Sequence, residues 1–218
     1  MGSISYVIRA VFLDALGTLV ELEPPWLSLR ETVPEDVSDE GLERALRAEM
    51  AYYREHTQEG RDQASLAELR ERCAAIVSDK LGLEISVEQL VDAIHFDPYP
   101  DAAPALSELR KGGTRLVAVS NWDCSLPSVL ERVGLGESLD GVVSSAIAGA
   151  RKPDPAIFRL ALELAGVEPS QALHVGDTAE EDVEGARAAG IRSLLIDRDG
   201  NDGDISSLTE ISEHLADD

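Results

Sequence analysis

Four short apolar runs constrain the fold of this chain more than any other feature. They are VIRAVFL (7–13), TRLVAVS (114–120), ALHV (172–175) and RSLLI (192–196), with a weaker fifth run, DGVVSS, at 140–145. Short, nearly continuous hydrophobic runs are typical of strands that are buried on both faces of a parallel sheet. We therefore expect these segments to form one parallel sheet.

Amphipathic helical patterns separate the later runs. They cover residues 102–111, 126–133, 155–165 and 180–189, and a glycine stands just past the end of each, where helices commonly stop. Strands that alternate with helices indicate an α/β fold, in which helices cover both faces of a parallel sheet.

Residues 21–96 interrupt this alternation. Helical patterns occupy 39–56, 63–81 and 86–96, and no convincing strand lies among them. We interpret 21–96 as a helical domain inserted after the first strand, so that residues 1–20 and 97–218 form the core domain. Four apolar residues of the insertion have helical spacing, which is typical of a bundle core but leaves a pocket-lining role open. They are Met50, Tyr52, Tyr53 and Leu66.

The charge of the chain limits its partners. Its 42 acidic and 19 basic residues give a formal net charge of −23, which repels nucleic acid and anionic membranes. No apolar run is long enough to span a bilayer and no secretion signal is recognisable, so we expect a cytoplasmic protein with a small-molecule substrate. Cys73 and Cys124 lack metal-ligand spacing. The sequence does not indicate an oligomeric state.

Polar residues stand at or just beyond the carboxyl ends of the predicted strands. Asp14 follows the first run, Ser120 ends the second with Asn121 next to it, Lys152 follows the weaker run, and Asp177 lies two residues beyond ALHV. Ligands of open parallel sheets bind at this edge. Each residue alone has an ordinary turn or capping explanation, but their joint placement indicates a functional site.

Two local patterns refine this set. In RKPDP, the prolines hold Lys152 in a defined direction, which a surface lysine does not require. In HVGDTAEEDVEGA, Thr178 and Glu181 have capping-box spacing, so we expect Glu181 to serve the helix terminus. Asp177 and Asp182 then remain free for other chemistry.

Asp14 and Asp177 need a cation between them. Two carboxylates at neighbouring strand ends repel each other unless one is protonated or a cation bridges them. Mg²⁺ suits this position because it binds one or two carboxylates and takes its other oxygen ligands from water and substrate. Lys152 would offset the charge of Asp14 and of the substrate, and Ser120 would donate a hydrogen bond to a substrate oxygen.

Four motifs, in order, resemble those of the haloacid dehalogenase superfamily of hydrolases. DALGTL resembles the first motif, VAVSN the second, RKPDP the third and HVGDTAEEDVEGARAAG the fourth. The resemblance spans nearly the whole core. It implies a Rossmann-like sheet in which residues 21–96 form a C1-type cap that closes over the active site.

The resemblance also implies residue roles. Asp14 would be a nucleophile that forms a covalent aspartyl intermediate, and Ser120 and Lys152 would bind the transferred group. The metal ligands would be Asp14, the Leu16 carbonyl and Asp177, with Asp182 supporting the Mg²⁺ ion, and the substrate contacts would include Thr18 and Asn121.

Leu16 departs from the pattern of this family. Most of its phosphatases carry aspartate there as the general acid and base, a function typically worth about 10²- to 10⁴-fold in rate. Three functions therefore stay open: a Mg²⁺-dependent phosphatase-like hydrolase, a 2-haloacid dehalogenase-like enzyme in which an arginine such as Arg30 could bind halide, and a catalytically weak ligand-binding protein. We favour the phosphatase, because Asp177 and Asp182 fit its metal motif and dehalogenases do not keep the metal aspartate.

Overall fold

A five-stranded parallel sheet forms the centre of the computed structural model, which describes residues 7–215. The strands of the chain are β1 Ala10–Leu13, β2 Val20–Leu22, β3 Phe96–Pro98, β4 Arg115–Ser120, β5 Gly141–Ser144, β6 Ala172–Gly176 and β7 Arg192–Leu195. The order in the sheet is β5-β4-β1-β6-β7, and every neighbouring pair is parallel. All five apolar runs therefore contribute strands to one sheet, as predicted.

Most of the helices begin and end where the sequence predicts. They are α1 Pro25–Arg30, α2 Asp39–His56, α3 Gln63–Leu81, α4 Val87–Asp92, α5 Ala102–Lys111, α6 Leu126–Arg132, α7 Ser145–Ala148, α8 Pro155–Ala165 and α9 Gly185–Ala188. The helix expected at 86–96 is shorter, because β3 begins at Phe96. The helix expected at 180–189 is instead a π-helical turn, Ala179–Glu184, followed by α9.

Alternate residues of the strands pack on opposite faces of the sheet. Val11 and Leu13 of β1 are buried in one apolar cluster with α5 and α6. Phe12 lies in a second cluster with α8 and α9 on the other face. Each large apolar side chain so buried contributes about 1.5–3 kcal/mol relative to exposure. Helices thus cover both faces, which confirms the Rossmann-like α/β fold.

Helices α1–α4 form a helical insertion between β2 and β3. It has its own apolar cluster, in which Leu46 of α2 and Leu69 of α3 are buried, and Tyr52 and Tyr53 pack against that cluster. The ends of α3 are encoded locally: the Asp62 side chain accepts a hydrogen bond from the backbone N–H of Ser65, and Gly82 ends the helix at a φ of 65°.

A short antiparallel pair, β2 with β3, joins the helical insertion to the sheet. Val20 pairs with Pro98, Glu21 with Asp97 and Leu22 with Phe96. The prediction that no strand lies in 21–96 was therefore wrong at both ends of the segment. Three residues are too few for an alternating pattern to stand out, and this pair depends on two segments far apart in the chain.

The helical insertion also contacts the loop after β4. The Tyr53 hydroxyl donates to Asp123 Oδ2 at 2.7 Å, and the Cys124 backbone N–H donates to the Gly60 carbonyl at 2.8 Å. These bonds join α2 and the segment after it to the end of β4, where the predicted site residues lie. Among residues 7–215, no helix is both long and apolar enough to cross a bilayer.

Candidate active site

Asp14 lies directly after the central strand β1 and is buried. Its Oδ1 accepts hydrogen bonds from Ser120 Oγ at 2.9 Å and from Lys152 Nζ at 2.5 Å. Burial raises the pKa of Asp14 above its usual value, and the charge of Lys152 offsets part of that effect. The structure thus brings the three predicted catalytic side chains into direct contact.

Lys152 is a fully buried cation held between two carboxylates. Its Nζ lies 2.5 Å from Asp14 Oδ1 and 2.5 Å from Asp182 Oδ1. Burial disfavours the charged form, but the two carboxylates outweigh burial and raise the pKa of Lys152. The lysine is therefore charged at neutral pH. Its backbone is joined to Pro153 by a cis peptide bond.

Asp182 is committed to three donors. Its Oδ1 also contacts His174 Nε2 at 2.8 Å, and its Oδ2 accepts the Thr178 backbone N–H at 3.1 Å. Burial opposes ionisation of Asp182, but Lys152 and His174 outweigh it and hold the pKa of this carboxyl well below its usual range. A Cβ on Gly176 would lie 2.1 Å from the Asp182 carboxyl carbon, so only glycine permits this approach.

His174 is a site residue that the sequence analysis missed. It is fully buried on β6 and its ring meets Phe158 of α8 edge to face, with centroids 4.9 Å apart. The signal was present, since His174 is the one polar residue in the apolar run ALHV. A buried polar side chain requires a partner, and here the partner is Asp182.

Glu181 does not cap the helix, so the capping-box prediction was wrong. The Thr178 side chain makes no capping bond, and the carboxylate that returns to the Thr178 N–H belongs to Asp182. Glu181 Oε2 instead accepts Asn121 Nδ2 at 2.8 Å, and its Oε1 lies 3.2 Å from the Arg151 guanidinium.

Asp177 completes a group of three carboxylates. Ligand oxygens of Asp14, Asp177 and Asp182 all lie within 4.8 Å of one another. Partial burial and the charges of Asp14 and Asp182 raise the pKa of Asp177 to about 6. Lys152 compensates only part of this negative charge. Such a group fits a hard divalent cation, which prefers carboxylate oxygen ligands.

The turn after β1 closely approaches this group. Gly17 has a φ of 85°, and a Cβ built on it would lie 2.2 Å from Asp177 Oδ2. Leu16 is half-buried with its side chain against the apolar cluster of α5 and α6. A leucine side chain has no polar atom, so the backbone carbonyl is the only oxygen that Leu16 can offer to the site.

Of the other predicted residues, Thr18 has a free hydroxyl among the described residues, whereas Asn121 and Arg30 are already bonded within the protein. Thr18 is fully buried, and its hydroxyl has no partner among the residues that the structure describes. Both ends of the Asn121 amide are already bonded within the protein. The Arg30 guanidinium donates to the carbonyls of Val33, Pro34 and Val37, so it serves the local chain fold of the helical insertion.

A cavity of about 370 Å³ opens beside Asp177. Tyr99, Arg198 and Gly17 line it, and the Arg198 guanidinium stacks over the Tyr99 ring at 3.9 Å from the centroid. The sequence analysis did not single out Tyr99 or Arg198. Tyr99 directly follows β3 and Arg198 lies in the loop after β7, and no sequence motif relates these two segments.

The parallel sheet, with buried Lys152 and three carboxylates at its carboxyl edge, defines a Rossmann-like α/β protein with a candidate site where ligands of such sheets bind. The family of haloacid dehalogenase-like hydrolases matches residues 8–190, and the chain belongs to this family. The family resemblance of the four motifs is therefore confirmed.

Curated relatives include several proteins named as phosphatases. The chain is 48% identical over 95 residues to haloacid dehalogenase-like hydrolase domain-containing protein 3 of Bos taurus, a match that covers 44% of this chain and 38% of that protein. It is 41% identical over 101 residues to the phosphoserine phosphatase of Thermus thermophilus, covering 46% of this chain and 41% of that protein. The chain thus matches less than half of the length of either relative.

Solved structures of a phosphatase and of a dehalogenase share the fold of this chain. A HAD phosphatase from Thermococcus onnurineus has a TM-score of 0.68 at 26% identity, covering 95% of this chain and 98% of that one. The L-2-haloacid dehalogenase of Xanthobacter autotrophicus has a TM-score of 0.72 at 24% identity over the same shares. At 24% identity, this second likeness concerns the fold alone.

Proposed function

We propose that this hydrolase is a Mg²⁺-dependent phosphatase that acts on a small phosphorylated metabolite through an aspartyl-phosphate on Asp14. The observation that carries the proposal is the third carboxylate: Asp177 lies within 4.8 Å of Asp14 and Asp182, with a single buried lysine to offset them. Displacement of halide from carbon does not require this extra charge, whereas a metal-assisted reaction of a phosphate ester uses it.

In this proposal, the chain's own residues do most of the work. Asp14 attacks phosphorus, the bond to the leaving oxygen breaks, and water later releases phosphate from Asp14. Ser120 and Lys152 hold the phosphoryl oxygens and offset their charge. Mg²⁺, held by Asp14, Asp177 and the Leu16 carbonyl with support from Asp182, would neutralise charge on the transferred group. The substrate contact of Thr18 remains a prediction, whereas the side-chain amide of Asn121 is already bonded within the protein and would have to release Lys152 or Glu181 to reach a substrate.

Because position 16 is leucine and not an acidic residue, the proposed enzyme should be limited to phosphates with good leaving groups. No carboxyl at that position protonates the leaving oxygen, so aryl and acyl phosphates should react far better than alkyl phosphates. The helical insertion is proposed to act as the C1-type cap over residues 1–20 and 97–218. A cytoplasmic location and a small-molecule partner remain predictions of the sequence.

A 2-haloacid dehalogenase is the second candidate, and Leu16 is the observation that favours it. Attack of Asp14 on a carbon–halogen bond needs no proton donor for the departing halide. Arg30, however, already donates to three backbone carbonyls and lies 3.5 Å from Asp39, so a halide would have to displace these partners. The third candidate is a weakly active protein that binds Mg²⁺ or a phosphorylated ligand.

A substrate panel separates the three candidates. The purified chain is given 4-nitrophenyl phosphate, acetyl phosphate, glycerol phosphate and 2-chloropropionate, each with Mg²⁺ and with EDTA. Phosphate release that EDTA abolishes, and that falls to background in Asp14→Asn, supports the phosphatase. Halide release that persists in EDTA, without phosphate release, assigns the dehalogenase. If neither product forms while calorimetry detects Mg²⁺ or phosphate binding, the ligand-binding role takes its place.

A further inference from the structure

We propose that Asn121 is a positioning residue whose side-chain amide clamps the backbone of Lys152 and thereby fixes the lysine Nζ between Asp14 and Asp182. The inference rests on the proposed function, because that function gives Lys152 its role in catalysis. It replaces the substrate contact that the sequence predicted for the Asn121 side chain.

The clamp is visible in two hydrogen bonds. The Lys152 backbone N–H donates to Asn121 Oδ1 at 2.8 Å, and Asn121 Nδ2 donates to the Lys152 carbonyl at 3.1 Å. Nδ2 also donates to Glu181 Oε2 at 2.8 Å. A flipped amide would place its oxygen against two acceptors, so the bonding pattern fixes the orientation of the group.

The Asn121 amide bonds both backbone polar groups of Lys152, in addition to the turn in which the Asp154 N–H donates to the Arg151 carbonyl at 2.8 Å. The residue lies in the loop between α7 and α8, and Pro153 after it has no N–H to donate. The long lysine stem is flexible when it is free, yet here it is buried and places Nζ 2.5 Å from both carboxylates. A misplacement of about 1 Å in a catalytic group can cost on the order of 10²-fold in rate.

Glu181 and Arg151 support the clamp from outside. Glu181, on the π-helical turn, bonds Asn121 and lies 3.2 Å from Arg151, which also donates to the Arg54 carbonyl of α2 at 3.4 Å. Both members of this ion pair are partly exposed, so the pair itself stabilises the fold little. Its effect is to orient the second N–H of the Asn121 amide.

The first test replaces the amide by a carboxylate of the same shape. Asn121→Asp keeps the acceptor for the Lys152 N–H but loses both donor bonds, and its charge faces Glu181. We expect turnover of 4-nitrophenyl phosphate to fall between tenfold and about 10²-fold when it is measured well below the unfolding midpoint of the variant, which the lost bonds and the charge facing Glu181 should lower. Asn201→Asp, which makes the same exchange in an exposed loop, is the matched control and should keep full turnover.

A double-mutant cycle distinguishes positioning from direct substrate contact. If Asn121 acts through Lys152, Asn121→Asp should reduce kcat/KM by less than about twofold once Lys152→Ala has removed the group being positioned. The same fold loss in both backgrounds would overturn the proposal and restore the substrate contact.

A structural measurement keeps the proposal testable if Lys152→Ala leaves too little turnover, or if the wild type has no phosphatase activity. In a crystal structure of Asn121→Asp, we expect Lys152 Nζ to move out of hydrogen-bonding distance from Asp14. An Nζ that stays near the 2.5 Å of the wild type refutes the clamp, whatever the panel shows for the reaction. The proposed function is tested separately, by whether the wild-type chain releases phosphate in the substrate panel.

Discussion

At the scale of single residues, the proposed phosphatase activity predicts that Leu16 limits which leaving groups the enzyme tolerates. In the proposed reaction, Asp14 is the nucleophile, with Ser120 and the Lys152 cation bonded to it, but position 16 supplies no carboxyl. The reaction would then depend on how stable the leaving group is as an anion, and aryl and acyl phosphates have the more stable leaving groups.

Leu16→Asp tests this dependence. We expect turnover of glycerol phosphate to rise relative to 4-nitrophenyl phosphate, because only the alkyl leaving group needs a proton. The gain should stay below the roughly 10²- to 10⁴-fold that general acid–base catalysis usually supplies, since the pocket is not shaped to tune a carboxyl. Leu16→Asn is the uncharged control. A folded Leu16→Asp variant with intact Mg²⁺ binding and no selective gain contradicts this explanation.

Gly17 offers a second test at this scale, with a matched partner. Gly17 and Gly113 have φ values of 85° and 82°, but an added Cβ would strike Asp177 at Gly17 and would meet nothing within 4 Å at Gly113. Both Gly→Ala variants should lose about 1–2 kcal/mol of stability from backbone strain. Only Gly17→Ala should weaken Mg²⁺ binding in calorimetry. Equal Mg²⁺ affinities in the two variants would show that the approach of Gly17 to Asp177 is unimportant.

At the scale of elements, α2 and α3 enclose a buried carboxyl in the helical insertion. Glu49 of α2 is buried with Cys73 of α3 as its side-chain partner. Burial raises the pKa of Glu49, and the bond to Cys73 offsets only part of this. Ionisation of Glu49 therefore costs folding free energy as the pH rises.

Glu49→Gln should stabilise the chain at high pH. A raised pKa in the folded state means that wild-type stability is full below the unfolded pKa of about 4.3 and falls as the pH rises through the folded value. The variant has no carboxyl to ionise at this position. Its free energy of unfolding in urea should therefore exceed that of the wild type at pH 8 and be similar to it at pH 4. Glu71→Gln, on the exposed face of α3, is the control and should change stability by no more than about 0.5 kcal/mol. A variant without any pH-dependent gain would mean that Glu49 is already paired in the folded state.

At the scale of the whole molecule, Asp101 joins the last part of the described chain to the core. Its Oδ2 accepts bonds from Arg198 at 2.7 Å and from the Ser207 hydroxyl and the Leu208 N–H at 2.8 Å each. Burial alone would raise the pKa of Asp101, but these donors outweigh it and lower the pKa. The same Arg198 also donates to the Thr18 carbonyl, so this contact reaches the turn beside the site.

Asp101→Asn should destabilise the fold by about 1–3 kcal/mol at pH 7, because the hydrogen bonds lose their charged acceptor. A lowered folded pKa contributes stability above the unfolded pKa of about 3.9, and this contribution is lost as the pH falls through the folded value. The difference between variant and wild type in thermal unfolding should therefore shrink below pH 3.9. Asp79→Asn, at an exposed position of α3, is the control. A difference that does not change with pH would exclude the charged acceptor as the cause.

The sequence by itself determined the parallel sheet, the covering helices and the edge at which the site lies. Buried strands require unbroken apolar runs, and parallel strands end at one edge, so the positions of Asp14, Ser120, Lys152 and Asp177 follow from where the runs stop. These features depend on neighbours in the chain, and local patterns record them. The family assignment follows from the same four segments.

Only the tertiary structure decided how these side chains are held. The His174 bond to Asp182, the Asn121 clamp on Lys152 and the pairing of β2 with β3 join residues that no local pattern relates. The helix after β6 begins with a π-helical turn, so Asp182 rather than Glu181 returns to the Thr178 N–H. These contacts depend on the approach of distant segments to within about 3 Å, the reach of a hydrogen bond, and packing of the whole chain sets that distance.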